Sequence, residues 1–500
     1  MIKATKPNLA QRKVLSMIKS IQQFQSEGVK NLENIFVDYS LDMTKIAEMV
    51  QGVQKSVVEL GLAMIAEEWE YYDDYLRKHK EARKGWQIVK RDETTLLTSL
   101  GSVTYHKTLF KNTKTKEYAY LLDKVMKLEK HARMTEDAEA KILEEAVESS
   151  YRKGGENASI TDEPVSKETV MNKIHKLEFP KTRPLEKKKQ LKYLYIDADE
   201  DHVSLQYLEQ KGDIRRPRRN TVMPKLIYVY EGITNENGRN ELIGKAYFGG
   251  VYEGGKAVAD LWNEVYEYIE ASYDTDVLEK IYINGDGAAW IKSGQKLIHK
   301  AKFVLDRFHM HKYIIGATSH LLDSAEDARS EIYRAVYGKR KWEAEAVFEK
   351  ILAVTDVESK RRTVLAAKEY ILGNWAGIMQ WVRDKNKEVE CSAEGHVSHI
   401  YADRMSSRPL GWSRQGADKM SRLRIYRQNA GDMLELVRYQ KNRTAMAAGC
   451  EEIIYSSTEM LIQENANRRK LGVLADTPIY SIPYPQIRKI ANLKNHIWGL

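Results

Sequence analysis

The chain has 500 residues, with 80 Lys and Arg against 71 Asp and Glu, a formal charge of +9, 42% hydrophobic and 30% charged residues. That is the composition of a folded protein of two to four domains and excludes a disordered or fibrous one. Two cysteines exclude a disulfide framework, and the mild positive surplus points toward a polyanionic partner without excluding an ordinary basic enzyme.

No run approaches the roughly 18 apolar residues of a membrane span, and the first 25 residues hold no uninterrupted apolar stretch. Neither a secreted nor a membrane-spanning protein is therefore expected. None of the ten prolines falls between Pro224 and Pro409, so that stretch is expected to hold regular structure.

In chain order, residues 12–85 read as helical, with Val14, Met17, Ile18 and Ile21 at i, i+3, i+4 and i+7. "RKHKEARKGWQIVKR" (77–91) is basic with one tryptophan; it is either a solvated helix face or a phosphate-tracking segment. "GSVTYHKTLFKNTKTKEYAYLLD" (101–123) alternates around a polar "NTKTK" and predicts a small hairpin. Helical pattern resumes over 124–153 and breaks at "KGGENASITDEP". Ser166 then N-caps a predicted helix with the apolar stripe Val170, Met171, Ile174 and Leu177. A helix following a helix suggests a helix-turn-helix over 136–185, with Ser166, Lys167, Thr169, Asn172 and Lys173 as DNA contacts, or else a plain helical bundle.

After the Pro- and Lys-rich linker "FPKTRPLEKKKQ" (179–190) the character changes. "LKYLYIDADEDHVSLQYL" predicts two short strands interrupted by acids, "RRPRRN" (215–220) a basic loop, and "KLIYVYEGI" (225–233) and "IGKAYFGGVY" (243–252) further strands. "AVADLWNEVYEYIEASY" (257–273) is an amphipathic helix. "LEKIYINGDGAAWI" (278–291) is a strand, a turn and a new helix, and "AKFVLDRFHMHK" (301–312) another strand. From 313 to about 390, and again over 415–470, the pattern is helical. The sum is an α/β sheet of mixed direction.

Reactive groups of such sheets gather at the carboxyl ends of strands. Asp197 and Asp199 end the first strand, and Asp286 follows another between two glycines, although an aspartate in "GDG" is also an ordinary turn residue. Glu394 sits in "CSAEGHVSH" (391–399). Three carboxylates brought together would repel one another unless cations neutralised them. Mg²⁺ takes oxygen ligands, and two such ions clamp both oxygens of an in-line phosphodiester displacement.

This order of acids, with "YIDADEDHVSLQ", "NGDGAAWI", "VLDRFHMHK" and "CSAEGHVSHIYADRMSSRPLGWS", resembles the ISLre family of bacterial insertion-sequence transposases, of DDE type. "SLGSVTYHKTLF" and "SKETVMNKI" extend the resemblance over most of the chain. It implies an RNase H-like mixed five-stranded sheet over 186–318 and 390–440, interrupted by an all-helical insertion (319–389). A mainly helical N-terminal region with the hairpin (1–135) would precede it and a helical tail (441–500) follow. It further implies Mg²⁺, with Mn²⁺ able to substitute, at Asp199, Asp286 and Glu394, which are separated by 87 and 108 residues.

Alternate residues of a strand share a face, so parity does not separate Asp197, Asp199 and Asp201. The restart of a strand at Val203 favours Asp199 by resemblance, with Asp197 in reserve. Asp306 and His309 match the family's D-x-x-H, which would put His309 near the scissile phosphate; a buried histidine that orients the strand is the other reading. His396 would support the glutamate or touch phosphate. Arg404, Arg408 and Arg414 would bind phosphates, or instead pair with acidic neighbours. Zinc at Cys391, His396 and His399 lacks a C-x-x-C.

The partners implied are double-stranded DNA, as element terminal repeats and as target, and further copies of the chain, in the bacterial cytoplasm at the nucleoid. No histidine is followed by Arg three residues on, which excludes a tyrosine recombinase. A nuclease on the same fold, or a catalytically inactive DNA-binding derivative, remains as a rival.

Overall fold

The computed structural model describes residues 19–161, 164–206, 220–236, 239–384, 391–408 and 410–447. Val14, Met17 and Ile18, most of the "RRPRRN" loop, and the expected helix beyond residue 447 lie outside them. Helix α1 (Lys19–Gln23) passes through a π turn into α2 (Val29–Leu41), and α3 (Ile46–Lys78) follows a turn in which Thr44 bonds Asp42 Oδ1. No side chain of α2 is buried, and Phe36, Val37, Leu41, Ile46 and Val50 are exposed.

The C-terminal end of α3 packs on a three-stranded antiparallel sheet of β1 (Trp86–Leu97), β2 (Ser102–Asn112) and β3 (Tyr118–Tyr120). Buried Asp73 ties helix to sheet by accepting Thr108 N–H (2.9 Å) and Thr108 Oγ1–H (2.6 Å). The sequence reading gave the hairpin but missed β1. Only Trp86 and Leu96 of that strand are buried, so charge on both faces hides its alternation.

The helix expected over 124–153 is broken. Short α4 (Leu121–Val125) is followed by turns with Lys127 and His131 at positive φ, and helix returns as α5 (Glu136–Glu148). Then α6 (Tyr151–Glu156), capped by Ser150, meets α7 (Lys167–Lys176), capped by the Ser166 hydroxyl on Thr169 N–H (3.2 Å). Their approach requires glycine: a Cβ on Gly155 would lie 1.9 Å from the Val165 carbonyl. Val170 and Ile174 of the expected stripe are fully buried.

The principal sheet is β4 (Tyr193–Glu200), β7 (Pro224–Tyr230), β10 (Ala246–Val251), β11 (Lys280–Gly285) and β12 (Ala301–Leu305), in the order β10-β7-β4-β11-β12. The small pairs β5 (Val203–Ser204) with β6 (Thr221–Val222), and β8 (Gly232–Glu236) with β9 (Arg239–Ile243), stand off its connections. Numbered by the five principal strands alone, the order is 3-2-1-4-5. The second strand is antiparallel to both neighbours and the last pairs are parallel, as in the RNase H-like fold.

Alternation gives the sheet two chemically different faces. Leu194, Ile196, Ala198, Ile227, Val229, Ile281 and Ile283 form an aliphatic face. It is covered by α8 (Gly254–Ser272), whose Leu261, Trp262, Val265 and Ile269 are wholly buried at helical spacing, and by α9 (Ala289–Leu297) and α10 (Arg307–Thr318). Burying a side chain such as Trp262 contributes on the order of 2–3 kcal/mol. The insertion helices α11 (Ala325–Tyr337), α12 (Lys341–Ala353), α13 (Glu358–Gly373) and α14 (Trp375–Arg383) join this same cluster through Ile332, Phe348, Val364, Ile371 and Ile378.

The other face is lined by tyrosines. Tyr193, Tyr282, Tyr195, Tyr230, Tyr228 and Tyr247 form a continuous ring-to-ring row. It is covered by α15 (Ala393–Val397) and its π-helical extension to Ala402, α16 (Asp403–Met405) and α17 (Arg414–Gln428), with α18 (Met433–Ala447) following. The strand expected over 301–312 stops at Leu305, because Asp306 accepts Phe308 N–H (3.1 Å) and starts α10.

Candidate active site

The ends of β4 and β11 build the site. Their parallel register sets Asn284 beside Asp197; two residues further on, where both strands end, Asp286 comes level with Asp199. Asp197 and Asp199 point to the tyrosine face but have different surroundings. Asp197 is fully buried and accepts Tyr228 Oη–H (2.8 Å), Tyr230 Oη–H (3.0 Å), Asn284 Nδ2–H (2.6 Å) and Ser392 N–H (2.7 Å). Its lone pairs are taken by donors, so it is a structural knot.

Asp199, half-buried, accepts the N–H of Glu200 and no other donor among the described residues. Burial first, and then the nearby Asp286 carboxylate, push it up to about 6. Asp201 lies past the strand and accepts from Ser406 Oγ (3.0 Å) and His202 N–H; burial pushes it up. Of the three acids, Asp199 is the one that faces Asp286. Asp286 Oδ1 caps its own turn through Ala288 N–H (2.8 Å).

His309 stands over this pair. Its Nδ1–H donates to Asp306 Oδ2 (2.8 Å), which raises the imidazole's pKa, and the charges of Asp306, Asp286 and Asp199 raise it further. Glu394 is exposed in the first turn of α15. Its helix is pinned at the entry, where Ser392 meets both Asp197 and Tyr228 Oη (2.7 Å), but no partner for the Glu394 carboxylate is found among the described residues. Among those residues no three His, Cys, Asp or Glu side chains converge closely enough to hold a metal ion. Asp199, Asp286 and His309 lie near enough to act on one another electrostatically, and Glu394 is exposed on α15.

The pair nevertheless fits a divalent cation. Two carboxylates, one of them partly desolvated and repelled by the other, provide the one or two protein oxygens that Mg²⁺ takes alongside water and phosphate. The other expected residues are placed as follows. His396 stacks on Tyr228 (4.4 Å between ring centres) with Nδ1 on the Ser392 carbonyl (3.1 Å), and burial lowers its pKa. Arg404 is buried, its Nε–H on the Ala146 carbonyl and its guanidinium over Trp412. Arg408 is exposed and Arg414 pairs with Glu253. On α7, Lys173 pairs with Glu139 (2.7 Å), Thr169 bonds Ser166 (3.0 Å), Lys167 pairs with Glu168, and Asn172 is exposed.

Sequence reasoning missed the tyrosine knot around Asp197. Its signal is present in the alternating tyrosines of "YLYID" and "IYVY". It also missed Tyr370, whose hydroxyl reaches the Asp286 carbonyl (2.5 Å) from the insertion, and no local pattern marks that contact.

Fold and site define a mixed α/β protein with an RNase H-like sheet and a pair of repelling carboxylates at its carboxyl edge. The chain belongs to the uncharacterised protein family UPF0236, which matches residues 40–443. It is similar to UPF0236 proteins of Caldanaerobacter subterraneus subsp. tengcongensis. One is 35% identical over 466 residues (91% of this chain, 94% of the relative), another 34% over 494 (95% of each). Among solved structures it is similar to the Drosophila P element transposase strand transfer complex, at 10% identity over 63% of this chain and 82% of that one. The TM-score of 0.22 is too low to carry a functional argument. No described helix is long and apolar enough to cross a membrane.

Proposed function

We propose that this protein is a DDE-type DNA transposase of the bacterial cytoplasm and nucleoid. It would cut at insertion-sequence ends and join the freed 3′-hydroxyl to target DNA, as an oligomer on double-stranded DNA. The observation that carries this reading is the Asp199–Asp286 pair, level at the ends of the two central parallel strands of a 3-2-1-4-5 sheet.

Bound Mg²⁺ or Mn²⁺ would neutralise the pair and activate the attacking oxygen. Asp199 and Asp286 would hold the cation. Glu394, exposed in the first turn of α15, would supply the third carboxylate. His309, whose pKa is raised first by its bond to Asp306, would offset negative charge beside the pair and donate to a phosphate oxygen. The protein supplies position and charge, without a covalent intermediate. Arg408, Lys167 and Asn172, all exposed, are the remaining candidates for DNA contact, whereas Arg404 holds α16 against α5.

The test is incubation of the full chain with labelled double-stranded element ends and Mg²⁺, scoring nicking and joining separately. Asp286→Asn and Glu394→Gln should each reduce both by at least about 100-fold while DNA binding persists, since carboxamides hold Mg²⁺ weakly. Full strand transfer by either variant contradicts the assignment. Nicking without joining would make the protein a nuclease on this fold, and binding without either would make it an inactive derivative.

A further inference from the structure

The helical insertion contributes to the acid pair directly, not only to the core beneath it. Tyr370, near the end of α13, donates its hydroxyl to the backbone carbonyl of Asp286 (2.5 Å). Its ring is held flat against Tyr313 (3.8 Å between centres, 14° between planes), one turn beyond His309 on α10. Four residues later, Asn374 links α13 to α14. Its Nδ2–H donates to the Tyr370 carbonyl (2.9 Å), and its side chain fills the space above Gly287 so closely that a Cβ there would lie 2.6 Å from Oδ1. Gly287 has φ +91°, open to glycine and strained for other residues. Asn374 is 6% exposed, and its Oδ1 has no hydrogen-bond partner among the described residues, an expensive arrangement for a buried amide. The Asp286–Gly287 turn is therefore gripped from one side by two residues 84 and 87 positions away in the chain.

We propose that Tyr370 and Asn374 are positioning residues for the cation seat: the insertion fixes the Asp286 turn opposite Asp199 and, through the Tyr313 stack, sets the helix that carries His309. This rests on the reading of Asp199 and Asp286 as a cation site. A carbonyl held by a phenol cannot rotate with its peptide, so the Asp286 side chain starts from one backbone orientation. Groups that orient a ligand in this way typically change metal affinity by about 10–100-fold when removed.

The experiment is calorimetric titration of Mn²⁺ into the full-length protein, with thermal unfolding in the absence of cation alongside. Tyr370→Phe keeps the stack on Tyr313 and removes only the hydroxyl. Mn²⁺ affinity should fall about 10-fold while cation-free unfolding shifts by no more than about 2–4 °C. DNA cleavage by this variant should recover when Mn²⁺ is raised in proportion, a rescue that general loss of structure would not give. Asn374→Ala, which leaves the hydroxyl in place, should weaken Mn²⁺ about 10-fold, at the low end of the same range, and carries the test if Tyr370→Phe does not fold. Wild-type affinity in both variants overturns this inference alone. Failure of the wild-type protein to bind Mn²⁺ overturns both it and the functional reading.

Discussion

The tyrosine-lined middle of the principal sheet and its carboxyl-end rim each hold an aspartate of β4, two residues apart on one face, in opposite environments. Asp197 in the middle is sealed and met by five donor groups from β7, β11 and the entry of α15. Asp199 at the rim has one backbone donor and an acid across from it. The first carboxylate binds strands and helix to one another. The second is pushed up by burial and by the acid across from it, and a bound cation would offset that repulsion. A sheet with this topology therefore separates a structural acid from the one we propose as reactive by a single repeat of the pleat.

The strongest way to break this comparison is Asp197→Ala. It strands two tyrosine hydroxyls, an amide and a backbone N–H, and should destabilise the protein by about 4 kcal/mol or more in denaturant unfolding. A loss below about 1 kcal/mol would show that the knot is not structural. The opposite sign is expected at the rim. Because the folded pKa of Asp199 is raised above its ordinary value of 3.8 to about 6, its contribution to stability is fully present below pH 3.8 and is lost as pH rises through 6. At pH 7, without divalent cation, Asp199→Asn should thus stabilise the protein by about 1–3 kcal/mol, and the gain should vanish near pH 4. Destabilisation at pH 7 would place Asp199 in the same class as Asp197. The smallest effect concerns α7: Ser166→Ala removes a helix cap and should cost about 1 kcal/mol. If Ser166 acts only as that cap, DNA affinity measured well below the unfolding temperature stays unchanged.

Much of this was legible in the sequence. The β-rich segments, the α8 helix, the helical insertion and the Ser166 cap follow from apolar spacing and capping chemistry, which act within a few residues. Asp199 and Asp286 were legible as acids at strand ends, because strand length fixes where a chain emerges from the sheet. The identity of the first acid was not: parity is the same for 197, 199 and 201, and only the partners reaching across from Tyr228, Tyr230, Asn284 and Ser392 separate them. Arg404 was read as a phosphate contact or a partner of acidic neighbours, but its bond to the Ala146 carbonyl at the end of α5 comes from 258 positions away. Strand β1 escaped notice because a half-covered strand carries charge on both faces. Glu394 was legible as a residue, but its place in the exposed first turn of α15, just after the Ser392 anchor on Asp197, was not.

The most direct measurement is a crystal structure of the full chain with Mn²⁺ and a double-stranded element end, with anomalous scattering used to locate the cation. The account predicts manganese between the carboxylates of Asp199 and Asp286, with Glu394 turned in toward it. Manganese bound elsewhere, or an Asp199–Asp286 pair with no cation beside DNA, would contradict it.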